Sequence, residues 1–303
     1  MKKLVLDISY IVSGGGKKYA LQFINQLKDD YDLTILSNNI FVRKNATIWS
    51  NLINRETIIH KLNPDIILNI SNVPYLFKKK HVVFFLHQRY YIDNTGLKYT
   101  RGSFKFKIKL KSLFFKTFIR SNYKILVQTK VMKELLLKKT RLNSTVSSFT
   151  NFNYLDNNKK NQVLIHNDNV PHKKINWSHE IFGWIERNSY DLIVVGVQPP
   201  LNIKCNYLGY LEESEMKSVL SESKVILTFT NFESLGLLYV EACLNKSILI
   251  AKKIDVINEV VKNYYNLNDN TLIHKKISTL EHSKFSKSFL KNKTSIKQII
   301  DEK

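Results

Sequence analysis

The stretch "KVILTFTNFESLGLLYVEACLNKSILIA", residues 224–251, reads as strand, loop, helix, strand. "KVILTF" and "SILIA" are apolar on both faces, as strands are when helices cover both sides of a parallel sheet. "NFESLG" between them reads as a loop, and the helix starts near Gly236 or Leu237. Glu233 therefore sits just outside a helix N-terminus, and Glu241 lies about one turn inside it. The N–H groups near Ser234, Leu235, Gly236 and Leu237 have no acceptor within the helix. Donors so placed grip a diphosphate. A carboxylate accepts from two neighbouring hydroxyls, which suits one acid to a ribose diol and the other to a sugar. The plainer reading of both acids is that they stabilise the helix dipole.

The same alternation extends through the chain. "KLVLDIS" leads through glycines into "KKYALQFINQLKDD", where Ala20, Leu21, Ile24 and Leu27 recur at helical spacing. "DLTILS", "PDIILNIS", "KHVVFFLHQ" and "YKILVQT" follow as short apolar strands. A second series runs from "NQVLIHND" through "YDLIVVGV" and "CNYLGYL" to the opening stretch. Strands of this kind separated by helices predict an α/β protein with parallel sheets. The Asn-, Ser- and Thr-rich run at 140–161 is the expected linker. Two doubly wound, Rossmann-like domains in tandem are predicted, residues 1–155 and 156–303, with the last helix able to pack back on the first domain.

The chain has 303 residues, and 47 basic against 25 acidic side chains leave a formal charge of +22. Such an excess calls for an anionic partner: nucleic acid, a phospholipid surface or a phosphorylated small molecule. Cys205 and Cys243, with no CxxC spacing, suggest neither a disulfide framework nor a zinc site, and fit a reduced, cytoplasmic setting. Asp7 interrupts the apolar start too early for a signal peptide. No apolar run approaches the roughly 20 residues that span a bilayer.

Several segments could carry chemistry. Gly14, Gly15 and Gly16, followed by Lys17, lie between the first strand and the first helix. They serve either as a tight turn or as a place where backbone approaches a ligand closely. They match neither a Walker A loop nor the dinucleotide fingerprint. His87 ends a buried strand, where ligands of open α/β sheets bind, although a lone histidine there is more often structural. Asp30 and Asp32 form a D-x-D that reads as a solvated turn. His166, Asp168 and His172 share a loop without metal spacing, so no metal is expected. In "SFKFKIKLKSLFFKTFIR", residues 103–120, a helix would place Lys105, Lys109, Ser112, Lys116 and Arg120 on one stripe beside a broad apolar face. That pattern suits an anionic membrane surface, or else a domain helix with a solvated basic edge. No nucleic-acid recognition motif is present.

The run "YLGYLEESEMKSVLSESKVILTFTNFESLGLLYVEACLNKSILIA", residues 207–251, resembles the C-terminal signature of the retaining glycosyltransferases of family 4, which have the GT-B fold. The amino half is similar more loosely, in its glycine loop, "NPDIIL", the strand ending in His87, and "ILVQTKVMKELL". The resemblance implies two Rossmann-like domains facing a central cleft. It implies that Glu233 engages the donor sugar and Glu241 the nucleotide ribose. The backbone at Leu235, Gly236 and Leu237 would meet sugar and diphosphate, His87 would reach the transferred sugar, and Gly15 and Gly16 would line the phosphate and acceptor side. The family's phosphate-binding arginine is replaced by His166, with Lys173 or Lys174 standing in for its lysine. "ESLG" replaces the commoner "EGFG".

These resemblances imply a metal-independent, retaining hexosyltransferase. It would use a nucleotide-diphosphate sugar as donor and no cofactor. The acceptor would be a glycan, presented as a lipid-diphosphate at the inner face of the cytoplasmic membrane, in surface polysaccharide synthesis of O-antigen or capsule type. Two other expectations stand beside it. One is a non-catalytic basic protein binding membrane or nucleic acid, and the other is a nucleotide-sugar epimerase on the same fold.

Overall fold

The computed structural model describes residues 1–11, 15–37, 48–147, 158–168, 170–291 and 295–302. Gly14 lies outside the described residues, as does the expected domain boundary at 155/156 within 148–157. The chain forms two compact units, Met1–Asn151 with Asn292–Lys303, and Phe152–Lys291. Each is built on a six-stranded parallel sheet with helices, the α/β organisation of the GT-B fold.

In the first unit β1 (Lys3–Asp7), β2 (Asp32–Leu36), β3 (Ile66–Asn69), β4 (Val82–Leu86), β5 (Lys124–Val127) and β6 (Thr145–Val146) lie in the order β2-β1-β3-β4-β5-β6. All five residues of β4 are buried. The pleat sends Phe84 to one face, against Phe115 at 5.9 Å and Tyr123 at 6.3 Å between ring centres. Phe85 faces the other way, onto Tyr19 at 5.0 Å and Phe23 at 5.7 Å of the helix Gly15–Leu27. Helices on both faces are what a continuous apolar strand requires.

The C-terminal segment is divided between the two units. It forms two short helices, Lys287–Lys291 in the second unit and Ile296–Asp301 in the first. Ser295 caps the latter by accepting from the Gln298 N–H. Ile296 and Ile299 are buried. Lys297 Nζ meets Asp30 at 2.6 Å, and the Tyr31 hydroxyl donates to Asp301 at 2.7 Å. Asp30 of the D-x-D thus anchors this returning helix.

The second unit orders β7 (Lys160–Asn167), β8 (Asp191–Gly196), β9 (Asn206–Gly209), β10 (Ser223–Thr228), β11 (Ile248–Ala251) and β12 (Tyr265–Asn266) as β12-β11-β10-β7-β8-β9. From β7 the chain winds out to β8 and β9, then returns to β10 on the other side. The strand order therefore reverses between β7 and β10, and a crevice opens beyond their carboxyl ends. In the first unit the same reversal falls between β1 and β3.

The basic helix forms over Gly102–Phe118, but its apolar side chains divide between two faces. Ile108, Ser112 and Phe115 turn inward, and the Ser112 hydroxyl donates to the Tyr91 carbonyl at 2.8 Å. Ser112 is thus removed from the expected solvent stripe by a backbone acceptor within reach. Phe106, Leu110 and Leu113 point outward. No helix among the described residues is long and apolar enough to cross a membrane.

Candidate functional site

In the second unit the crevice between β7 and β10 is walled by the loops following these strands. β7 delivers His166 and Asp168, the turn Pro171–Lys173 delivers Lys173, and the loop after β10 delivers Glu233. Lys173 Nζ lies 3.0 Å from Asp168 Oδ2 and 3.7 Å from Glu233 Oε1. Burial works against the Lys173 charge, but Glu233 and Asp168 more than offset it and hold its pKa above the ordinary value. Glu233 Oε1 also accepts from the Thr230 hydroxyl at 3.2 Å. His166 Nε2 is 3.4 Å from the other oxygen of Asp168. The residue at the expected arginine position therefore belongs to this cluster through Asp168. Lys174 is exposed and takes no part in the Lys173 contacts. Among the described residues no group of three or more His, Cys, Asp or Glu could hold a metal ion.

Gly236 begins the helix Leu237–Leu244 with φ +77°, and its lack of a side chain leaves the helix start without a side-chain cap. The Tyr239 and Val240 N–H groups donate back to the Gly236 carbonyl, so the donors that the helix start turns toward a ligand are the N–H groups of Gly236, Leu237 and Leu238. A Cβ at Gly236 would fall 2.4 Å from Tyr239 Cδ2 and 2.5 Å from Cε2. The left-handed backbone and the ring below it both demand glycine. Gly236→Ala is expected to cost about 1–3 kcal/mol locally, read as a lower thermal midpoint with sheet content unchanged. Leu235 is buried, and Ser234 is half-buried. Glu241 is buried, and its carbonyl accepts from the Asn245 N–H and side-chain amide.

Three polar groups here escaped the sequence reading. The Tyr239 hydroxyl is buried without a hydrogen-bond partner among the described residues. Burial, with Glu233, Tyr264 and Asp255 adding to it, pushes its pKa well above 10, so it is a neutral donor. Lys252, one residue past β11, donates to Asn231 Oδ1 at 3.2 Å, and burial lowers its pKa. Its signal was present: a lysine directly after a buried strand marks a carboxyl end. Asn231 in turn donates its N–H to the His172 carbonyl at 2.8 Å, tying the Glu233 loop to the Lys173 turn.

In the first unit the structure brings together Gly16 and His87. A Cβ on Gly16 would lie 3.2 Å from His87 Nε2 and 3.1 Å from Ile11 Cγ2, so this glycine seats the ring. Gly15 is half-buried and Lys17 exposed. Asn72, unnoticed in the sequence, fixes His87. Its Oδ1 accepts from the His87 N–H at 2.9 Å and the Gln88 N–H at 3.1 Å, which turns its Nδ2 toward the ring at 2.9 Å from Nε2. A donor amide needs a lone pair, so His87 is neutral with an acceptor nitrogen toward Asn72. Burial pushes its pKa down to about 4, in agreement.

His172 is also pushed down to about 4, by burial and by Lys173, with Asp168 opposing. In the unfolded chain both histidines titrate near 6.5. Between 6.5 and 4 the unfolded state therefore binds more protons than the folded one, and stability falls as pH falls. The urea midpoint is expected to decline steadily through that window, and His172→Gln to flatten part of the slope. A midpoint independent of pH there would contradict the neutral state of these rings.

By sequence, the chain matches no protein-family model and no curated protein. Solved structures do resemble it. WaaG, a glycosyltransferase involved in lipopolysaccharide biosynthesis, superposes with TM-score 0.63 at 11% identity, over 84% of this chain and 82% of that one. HepE of Anabaena in complex with UDP-glucose does so with TM-score 0.56 at 12% identity, over 92% and 93%. A candidate UDP-N-acetylglucosamine 2-epimerase from Listeria monocytogenes follows with TM-score 0.55 at 13% identity, over 96% and 94%. At these identities the likeness is one of fold, and it covers both units.

Proposed function

We propose that the chain is a glycosyltransferase that moves a sugar from a nucleoside diphosphate to a glycan acceptor. The observation that carries this reading is Lys173 held between Asp168 and Glu233 in the β7–β10 crevice, in the unit whose Glu233 loop leads into the helix start at Gly236. A diphosphate suits the first-turn N–H groups and Lys173, while Glu233 suits the hydroxyls of the adjoining sugar and Glu241 the ribose. The bond from the anomeric carbon to the leaving diphosphate breaks as the acceptor oxygen attacks. Charge on the diphosphate is spread over lysine and backbone donors placed before the reaction begins. Retention follows if attack is on the face of departure, with a leaving phosphate oxygen taking the acceptor proton. This chemistry uses no metal. The acceptor we favour is a lipid-diphosphate-linked glycan of the kind used in O-antigen or capsule synthesis.

Thermal-shift measurement against a panel of nucleoside diphosphate sugars tests the donor site. A raised midpoint with at least one donor, lost in Lys173→Met, is expected. A flat response to every donor would remove the reading. The likeness to the candidate epimerase supports a second reaction at the same site. Incubation with donor alone separates the two, since an epimerised nucleotide sugar would form without acceptor only in that case.

A further inference from the structure

The outward face of the helix Gly102–Phe118 takes no part in either site. Phe106 is 63%, Leu110 50% and Leu113 62% exposed. Their spacing of i, i+4 and i+7 places them in one strip about 60° wide, at roughly 100° per residue. The lysines fall on both sides of that strip: Lys105, Lys109 and Lys116 on one, Lys107 and Lys111 on the other, all exposed. Inward, Ser112 and Phe115 hold the helix on Tyr91, Phe115 stacking on its ring at 5.9 Å. The strip is therefore presented by a helix already anchored to the core, and rotating it inward would break those contacts.

Charge along this part of the chain has one sign. From Asn94 to Lys133 the chain carries eleven lysines and arginines and no aspartate or glutamate. A second element extends the pattern. The loop at 77–80 carries Phe77, 60% exposed, with Lys78 and Lys80 exposed beside it. Arg120, just past the helix, donates to the Leu76 carbonyl at 2.8 Å, and Asn122 donates to that of Lys79 at 2.8 Å.

We infer that this outward face docks on an anionic phospholipid bilayer, with Phe106, Leu110 and Leu113 entering the interface between two rows of lysines. Lysines on either side of an apolar strip reach anionic headgroups while their stems lie along the apolar phase. An apolar face of this kind enters a bilayer by about 5–10 Å, no deeper than the headgroup boundary. A nucleic acid would engage the lysines but leave the aliphatic strip in water. A protein partner would need an acidic groove shaped to one helix face, whereas a bilayer needs only the arrangement present. The inference goes beyond the proposed reaction and stands independently of it.

Co-sedimentation of the full chain, without nucleotide sugar, tests it. Vesicles of equal parts phosphatidylcholine and phosphatidylglycerol are compared with pure phosphatidylcholine, at low and high salt. Wild type is expected to bind the mixed vesicles at least about tenfold more tightly, and to keep measurable binding at high salt. The combined variant Phe106→Ser, Leu110→Ser, Leu113→Ser changes only exposed positions. It should unfold as wild type does yet lose the salt-resistant binding. Lys107→Glu with Lys111→Glu should lose the preference for the anionic lipid. Equal binding to both vesicle types would overturn the inference. So would a serine variant that binds as wild type does, since charge alone would then suffice.

Discussion

In the proposed reaction, Glu233→Gln is expected to lower sugar transfer by at least about a hundredfold and to leave the fold and nucleotide binding close to wild type. The substitution keeps the size of the side chain, and the Thr230 hydroxyl that donates to Glu233 at 3.2 Å can donate equally to an amide oxygen. What disappears is the negative charge facing the crevice. A sugar losing its diphosphate gains positive character at the ring, and a fixed carboxylate stabilises that charge more in the transition state than in the bound donor. Lys173 retains Asp168 at 3.0 Å, so it stays in place and the diphosphate keeps its partner. The loss should therefore appear in kcat, with the donor KM little changed. Lys173→Met should raise the donor KM as well as lower kcat, because the lysine meets the diphosphate in the bound donor and also faces the charge it gains on leaving. Initial rates with labelled donor and acceptor decide the matter. Turnover by Glu233→Gln within a few-fold of wild type would end the role given to this residue.

Most strands of both sheets were legible because a parallel strand covered on two faces is apolar along its length, as "VVFFL" of β4 is; β6, inside the run read as the linker, and β12 are two residues each and carry no such pattern. The loop that carries Glu233 and the helix start at Gly236 were legible for a related reason: a glycine and two acids at fixed spacing are local features. What was not legible depends on residues far apart in sequence. Asn72 and His87 are fifteen residues apart, and only the neighbouring β3 and β4 ladder brings them together. Lys252 and Asn231 meet because β10 and β11 are adjacent. The two apolar faces of the helix Gly102–Phe118 could not be separated from composition, since periodicity shows which residues share a side but not which side the core takes.

Arg55→Met destabilises the first unit by about 3–5 kcal/mol, a large share of the roughly 5–15 kcal/mol that holds a domain folded. Asp7 ends β1 and is fully buried, as is Arg55. Arg55 Nε donates to Asp7 Oδ2 at 2.9 Å, and its guanidinium lies 4.2 Å from the Tyr75 ring centre. Tyr75 donates to the same carboxylate at 2.6 Å, and the Ser9 N–H donates to its other oxygen at 3.0 Å. These neutral donors cannot replace the charge, so a methionine leaves an uncompensated carboxylate in a dry interior. Asp7→Asn in the same background should recover part of the loss, because it removes the charge and keeps the shape. Arg55 also donates to the Val73 carbonyl at 2.9 Å and so steadies the turn that carries Asn72, the residue that holds His87. Its loss should thus speed amide exchange in β1, in β3 and at His87 while exchange in β7 and β10 stays unchanged. Unfolding of the Arg55→Met protein within about 1 kcal/mol of wild type would mean that the Asp7 carboxylate finds compensation elsewhere, and that its pairing with Arg55 holds neither the sheet nor His87 in place.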